Sequence, residues 1–325
     1  MPTDNIIKKG RMDYIDIYRA FGIILMVMGH IGFGGKFDKF IHAFHMPMFF
    51  FISGFFYKEK VVDMRKYIIN KAKKLMIPYF VFGGGCCFLW CLNSGISAEP
   101  WMHLFLTNTT GIPIVGAIWF LTALFFTDVI YIFLVKHGVK WIALVFVVIG
   151  SCADQMLPYP LPWALSAAFV GLGLYWIGNE TARNQDKLKN ALNIPGPLCI
   201  ILGLLEVKLI LSNGYINMRE GTYAFVPLFW LNALLSIFIG ISLSKKAERI
   251  IRGTHVANWL TSIGRDSIVY LCCNQLVIKV VTVVFEHFAV PSVVENILVL
   301  TASMMFLYIL SVLFTKTRLK ILVGK

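Results

Sequence analysis

The chain has 325 residues, 58% of them apolar and 14% charged, with a formal net charge of +13. A soluble domain carries about a quarter charged residues. Here the apolar residues fall in repeated blocks of spanning length, which excludes a soluble globular protein and implies an all-α, polytopic integral membrane bundle.

The first apolar run, 17–34, carries Arg19 and His30 with ten residues between them. On a helix, eleven steps of about 100° bring the two side chains within about 20° of one line, with a rise of about 16 Å. An ionisable residue within a span is costly and usually faces a polar cavity or a partner. Two on one face therefore imply a polar track entering the membrane. The plainer alternative has Arg19 snorkelling at the surface and His30 hydrogen-bonded at the far end. Asp16 precedes Arg19 by one turn, where an ion pair is favoured.

The second run, 43–57, contains His45, Pro47 and the sequence Ser53-Gly54-Phe55. His42 and His45 have helical spacing, but no third metal ligand follows nearby. A basic, helix-like stretch over 65–74, including Lys71 and Lys74, leads to a third run at 78–94 that opens on Pro78. The apolar segment 101–117 is broken by Asn108, Gly111 and Pro113 and reads as re-entrant or surface-lying. Such a segment is tolerated when it is buried in protein or lines water.

Trp119-Phe120-Leu121 opens a fourth run at 118–135. Further runs at 141–153, 161–178, 194–212, 226–244, 266–285 and 294–315 bring the expected count to ten, all within one domain over 1–325. The seven cysteines form no Cys-x-x-Cys pair and no zinc pattern, so they read as buried reduced thiols. With ten spans, Lys8, Lys9, Arg11 and the basic residues of 58–74, 136–140, 183–189, 245–252 and 316–325 share one side, together with Arg265. The opposite loops carry Lys36, Lys39 and Arg219. By the positive-inside rule both termini are cytoplasmic. Basic residues divided among loops in this way mark topology and give no case for nucleic-acid binding.

The order of motifs is distinctive. Asp16, Arg19 and His30 are followed by His45-x-Pro47-x-Phe49-Phe50, then Ser53-Gly54-Phe55, then the basic pair Lys71 and Lys74. This order resembles the membrane-bound acyltransferase 3 family, particularly its smaller fucose 4-O-acetylase-like members. The likeness is specific over 13–80. Trp119-Phe120-Leu121 and Ile263-Gly264-Arg265-Asp266-Ser267 are similar to later helix entries of the family. There are departures: the basic pair is usually arginine, whose planar fork lysine lacks. Asn274 stands where a histidine is often found, and Asn does not titrate near neutral pH.

The resemblance implies an enzyme of a bacterial cytoplasmic membrane that moves an acyl group, commonly acetyl from acetyl-CoA, to a hydroxyl of a cell-surface or lipid-linked glycan. Acyl-CoA is then a substrate, and neither a metal nor a permanently bound cofactor is expected. The expected partners are acyl-CoA, the glycan and the bilayer. His30 would be the general base or a transient acyl carrier, since imidazole has a suitable pKa. Arg19, held by Asp16, would meet the thioester arm or CoA, and Lys71 and Lys74 would attract CoA phosphates. His45, Ser53, Trp119 and Asn274 would face the acceptor. Plainer readings stay open: close helix packing at Ser53, and interfacial anchoring at Trp119, Trp101, Trp163 and Tyr223. A transporter or flippase of a glycan or acyl precursor is the reading from another class. It would usually show internal repeats or paired broken helices, and none is visible.

Overall fold

The computed structural model describes residues 12–59, 63–286 and 291–325. Lys8, Lys9, Arg11 and Lys60 lie outside the described residues. Within them the chain is almost wholly helical: α1 (Asp13–Ile31), α2 (Gly35–His42), α3 (His45–Phe55), α4 (Met64–Ser94), α5 (Glu99–Phe105), α6 (Trp119–Lys136) and α7 (Ala143–Met156). Then come α8 (Leu165–Arg183), α9 (Gly196–Ser212), α10 (Val226–Ile251), α11 (His255–Arg265), α12 (Ser267–Phe285) and α13 (Ser292–Lys316).

Each expected span has a helix at its position. Six segments are long and apolar enough to cross a bilayer: α1, α4, the 116–136 stretch that ends in α6, α10, α12 and α13. The other four positions hold α3, α7, α8 and α9. At 11 and 14 residues, α3 and α7 rise only about 17 and 21 Å, short of a hydrocarbon core of about 30 Å. Among the described residues the structure therefore supports six crossings by length and composition, against the ten expected.

Local chemistry explains several boundaries. Asp13 and Asp16 sit in the first turn of α1, where the helix dipole favours negative charge, and Gly32 ends it in a left-handed conformation with its N–H on the Met28 carbonyl. The basic stretch 65–74 is not a separate helix before Pro78. Asp63 caps Lys66 N–H at 3.1 Å and one helix runs through the proline to Ser94. Sequence reading did not anticipate α11, an amphipathic helix whose threonine cap, Thr254, accepts from Ala257 N–H at 3.2 Å.

In the bundle α3 packs on α8, α8 on α6 and α7, and α1 on α10, α11 and α12. Several approaches are close enough to exclude a Cβ, among them Gly54 of α3 on the Tyr175 backbone and Gly264 of α11 on the Asp16 backbone. Small residues replace side-chain packing with backbone approach in this way where helices associate in lipid. The broken segment 106–118 is folded inward, with Asn108, Thr109, Ile112 and Val115 buried. Protein burial is the condition that permits such a segment at membrane depth.

Candidate active site

Arg19, Ile23, Met26 and His30 form a single stripe along α1, and that stripe lines two adjoining cavities. Arg19 and Ile23 line one of about 190 Å³ together with Met46, Phe49 and Ser53 of α3, Phe120 of α6 and Arg265 of α11. Met26 and His30 line another of about 100 Å³ with His42, His45, Ala117, Trp119, Asn217 and Arg219. Met46 and Leu271 border both. The helical alignment read from the sequence thus becomes one stripe bordering two cavities, with a guanidinium at one end and an imidazole at the other.

At its Arg19 end, Asp16 Oδ1 lies 3.7 Å from the guanidinium, which also sits 5.1 Å over the Phe56 ring. Those two contacts hold a partly buried cation at the cavity wall. Arg265 enters the same wall from α11 while paired with Asp266 at 3.2 Å. The Ser53 hydroxyl is spent on the Phe49 carbonyl at 2.8 Å, a helix back-bond that offers no base beside it.

At the His30 end three imidazoles gather. His42 and His45 stand edge-to-face at 5.4 Å. His42 Nδ1 lies 2.9 Å from the Asp38 carbonyl and His45 Nδ1 lies 2.7 Å from the Ile41 carbonyl. A carbonyl only accepts, so each ring donates from Nδ1, and the neutral imidazole keeps its lone pair on Nε2. Gln275 of α12 accepts Ala117 N–H on Oε1 at 3.0 Å, which turns its amide nitrogen toward His30 Nδ1 at 3.5 Å. Arg219 arrives from a two-strand hairpin in which Ile216 pairs with Tyr223 and Asn217 with Thr222. Burial lowers the Arg219 pKa from its ordinary value, with neighbouring Glu220 acting the other way. A guanidinium so placed still carries its charge at neutral pH.

A family model for an acyltransferase domain matches residues 12–316. The chain belongs to the membrane-bound acyltransferase 3 family. It is accordingly a membrane acyltransferase. No curated protein matches it.

The acyltransferase places its remaining expected residues unevenly. Lys71 points into the bundle, its Nζ 2.8 and 2.9 Å from the two Asp128 carboxylate oxygens. Tyr67 and Tyr175 also donate to that carboxylate, at 2.9 and 2.7 Å. Lys74 is exposed, and its backbone packs on Gly324 of the C-terminal segment. The two lysines of the expected phosphate pair are therefore in different environments. Asn274 is fully buried and lines neither cavity. Its amide donates to the Tyr270 and Leu271 carbonyls at 3.0 and 2.7 Å, and its Oδ1 has no hydrogen-bond partner among the described residues. Trp163 packs on Tyr79 and Phe80 and Tyr223 on Phe229, so those rings stack on protein.

Sequence reading missed Asn217 and Arg265 as wall residues and Gln275 as a neighbour of His30, and treated Arg219 only as a loop charge. For Arg219 a signal existed: it is one of few basic residues on its side of the expected topology. For Gln275, the residue after Asn274, nothing in the sequence distinguished which neighbour faces the stripe.

Proposed function

We propose that this acyltransferase is an O-acyltransferase, acetyl being the simplest group moved, from acyl-CoA to a hydroxyl of a cell-surface or lipid-linked glycan. In this reading both termini are cytoplasmic and the chain crosses the membrane ten times, six times by helices of spanning length and four times by the shorter or less apolar α3, α7, α8 and α9 together with the residues that flank them. The donor enters at the Arg19 end, and the acceptor arrives at the His30 end. The observation that carries the reading is the α1 stripe bordering two cavities that share Met46 and Leu271.

The two cavities suit different chemistry. The one at Arg19 has a largely apolar wall with cationic groups from two helices, suited to a thin acyl-thioester arm that trails a phosphate-bearing head. The one at His30 has a cluster of imidazoles, an amide and a guanidinium, suited to a hydroxyl and its proton. In the transfer, His30 takes the hydroxyl proton as the oxygen attacks the thioester carbon. The carbonyl electron pair moves to oxygen, then returns as the carbon–sulfur bond breaks. The thiolate leaves with the proton held by His30, giving ester and free CoA thiol.

The test uses purified full-length protein in lipid nanodiscs with radiolabelled acetyl-CoA and isolated surface glycan. Label in the glycan as alkali-labile ester, with one CoA thiol released per ester, is the expected result. Movement of intact precursor across vesicles without ester formation would replace the transferase reading with a carrier.

A further inference from the structure

Acyl transfer in the His30 cavity needs a donor for the oxygen that becomes negative, and the wall residues differ in what they can supply. His45 Nδ1 is committed to the Ile41 carbonyl, and His42 Nδ1 to the Asp38 carbonyl and carboxylate, at 2.9 and 3.2 Å. As neutral rings both keep a lone pair on Nε2 and accept there. His30 is occupied with the hydroxyl proton. No Asp or Glu lines this cavity; the nearby Asp38 carboxylate lies 3.2 Å from His42 Nδ1 and pairs there, not with Arg219.

Arg219 is built in from several directions. Its backbone N–H donates to Asn217 Oδ1 at 3.0 Å, fixing the hairpin turn. Its Nε donates to the Thr109 carbonyl of the inward-folded segment. Its guanidinium lies against Gly116, where an added Cβ would stand 2.8 Å from Nη1. Those contacts fix the plane of the group. Both Nη atoms lack a hydrogen-bond acceptor among the described residues, and no carboxylate there lies within ion-pair distance. A cation held in place, with its terminal donors unspent, faces the cavity that holds the base.

We infer that Arg219 is a catalytic residue of the acyl transfer, donating from its Nη groups to the thioester oxygen as charge develops there. The inference rests on the acyl-transfer reading of the same site. A fixed donor aimed at developing charge acts in the transition state and little in the ground state. The proton and bond changes are those already given. Arg219 gives up no proton and supplies the charge the tetrahedral oxygen needs.

The experiment measures kcat and the KM for acetyl-CoA and for the glycan in nanodiscs. Arg219→Ala lowers kcat about 10²–10³-fold, with both KM values within about threefold of the unaltered protein. Arg219→Lys recovers part of the loss, because the charge returns without the fork. Gly116→Ala keeps the arginine but pushes the guanidinium aside, and lowers kcat by a smaller factor. That variant decides the matter if Arg219→Ala does not fold. Unchanged kcat in folded Arg219→Ala, or in Gly116→Ala when the alanine variant does not fold, would overturn the inference. So would a raised glycan KM with kcat intact, which would make Arg219 an acceptor-binding group. No transfer by the unaltered protein would remove the acyl-transfer reading, and this inference with it.

Discussion

Lys71 of α4 and Asp128 of α6 form a two-pronged ion pair, with Nζ 2.8 and 2.9 Å from the carboxylate oxygens and Asp128 completely shielded from solvent. Removing one partner of a buried pair leaves an uncompensated charge, at a cost of about 3–5 kcal/mol. Lys71→Ala, which strands the buried carboxylate, is therefore expected to lower the unfolding free energy in detergent by an amount of that order and with it the midpoint, and Asp128→Ala by less, because Lys71 is 27% exposed and can turn to solvent. Denaturant or thermal unfolding of each variant checks this. A midpoint unchanged in both would show that the pair does not clamp the two helices.

Lys74 behaves differently because it is exposed. Lys74→Ala is expected to leave stability within about 0.5 kcal/mol of the unaltered protein. It should raise the KM for acetyl-CoA several-fold at low salt, an effect that shrinks as screening increases. Kinetics at two ionic strengths separate a phosphate contact from a topology marker.

The positions of the helices and the Arg19–His30 alignment were legible because both are periodic: apolar runs announce helices, and a spacing of eleven places two side chains on one face. The site's remaining walls were not legible. Arg219 reaches its place through a hairpin and a bond to Thr109, which lies far away in the chain. Lys71 carried a basic charge beside a span, and only the fold reveals Asp128 opposite it. The shortness of α7 was legible, since its run spans only 141–153 before Pro158, whereas α3 is shorter than its run because apolar residues flank the helix at both ends.

His30→Ala is expected to cut transfer by about 10²–10⁴-fold while the protein inserts and elutes as the unaltered one does. Among the described residues its hydrogen-bond neighbour is the Gln275 amide at 3.5 Å, a weak contact whose loss costs the fold little. Single-turnover transfer with size-exclusion profiles gives the comparison. Near-normal rates would remove the base role.

Gly264→Ala drives a Cβ into the Asp16 backbone and separates α11 from α1. Overpacking of this kind costs about 1–3 kcal/mol, and more where backbone is the obstacle. The variant should be less stable and should also lose activity, because Asp16 and Arg19 move with α1. A fully active, equally stable Gly264→Ala protein would show that this approach does not position Arg19.

Sidedness can be read with single cysteines in a background lacking the native seven. Glu99 and Lys58 are both exposed. Glu99→Cys is expected to react with an impermeant thiol reagent on intact cells, and Lys58→Cys only after the cells are opened. The reverse pattern would put Arg19 at the outer surface.

The central claim is that donor and acceptor approach from opposite faces and meet along the α1 stripe. Inverted membrane vesicles, with glycan trapped in the lumen and impermeant radiolabelled acetyl-CoA added outside, test it most directly. Luminal glycan is expected to become labelled, and the label to disappear in His30→Ala vesicles. Label confined to glycan added outside, on the same face as acetyl-CoA, would contradict it.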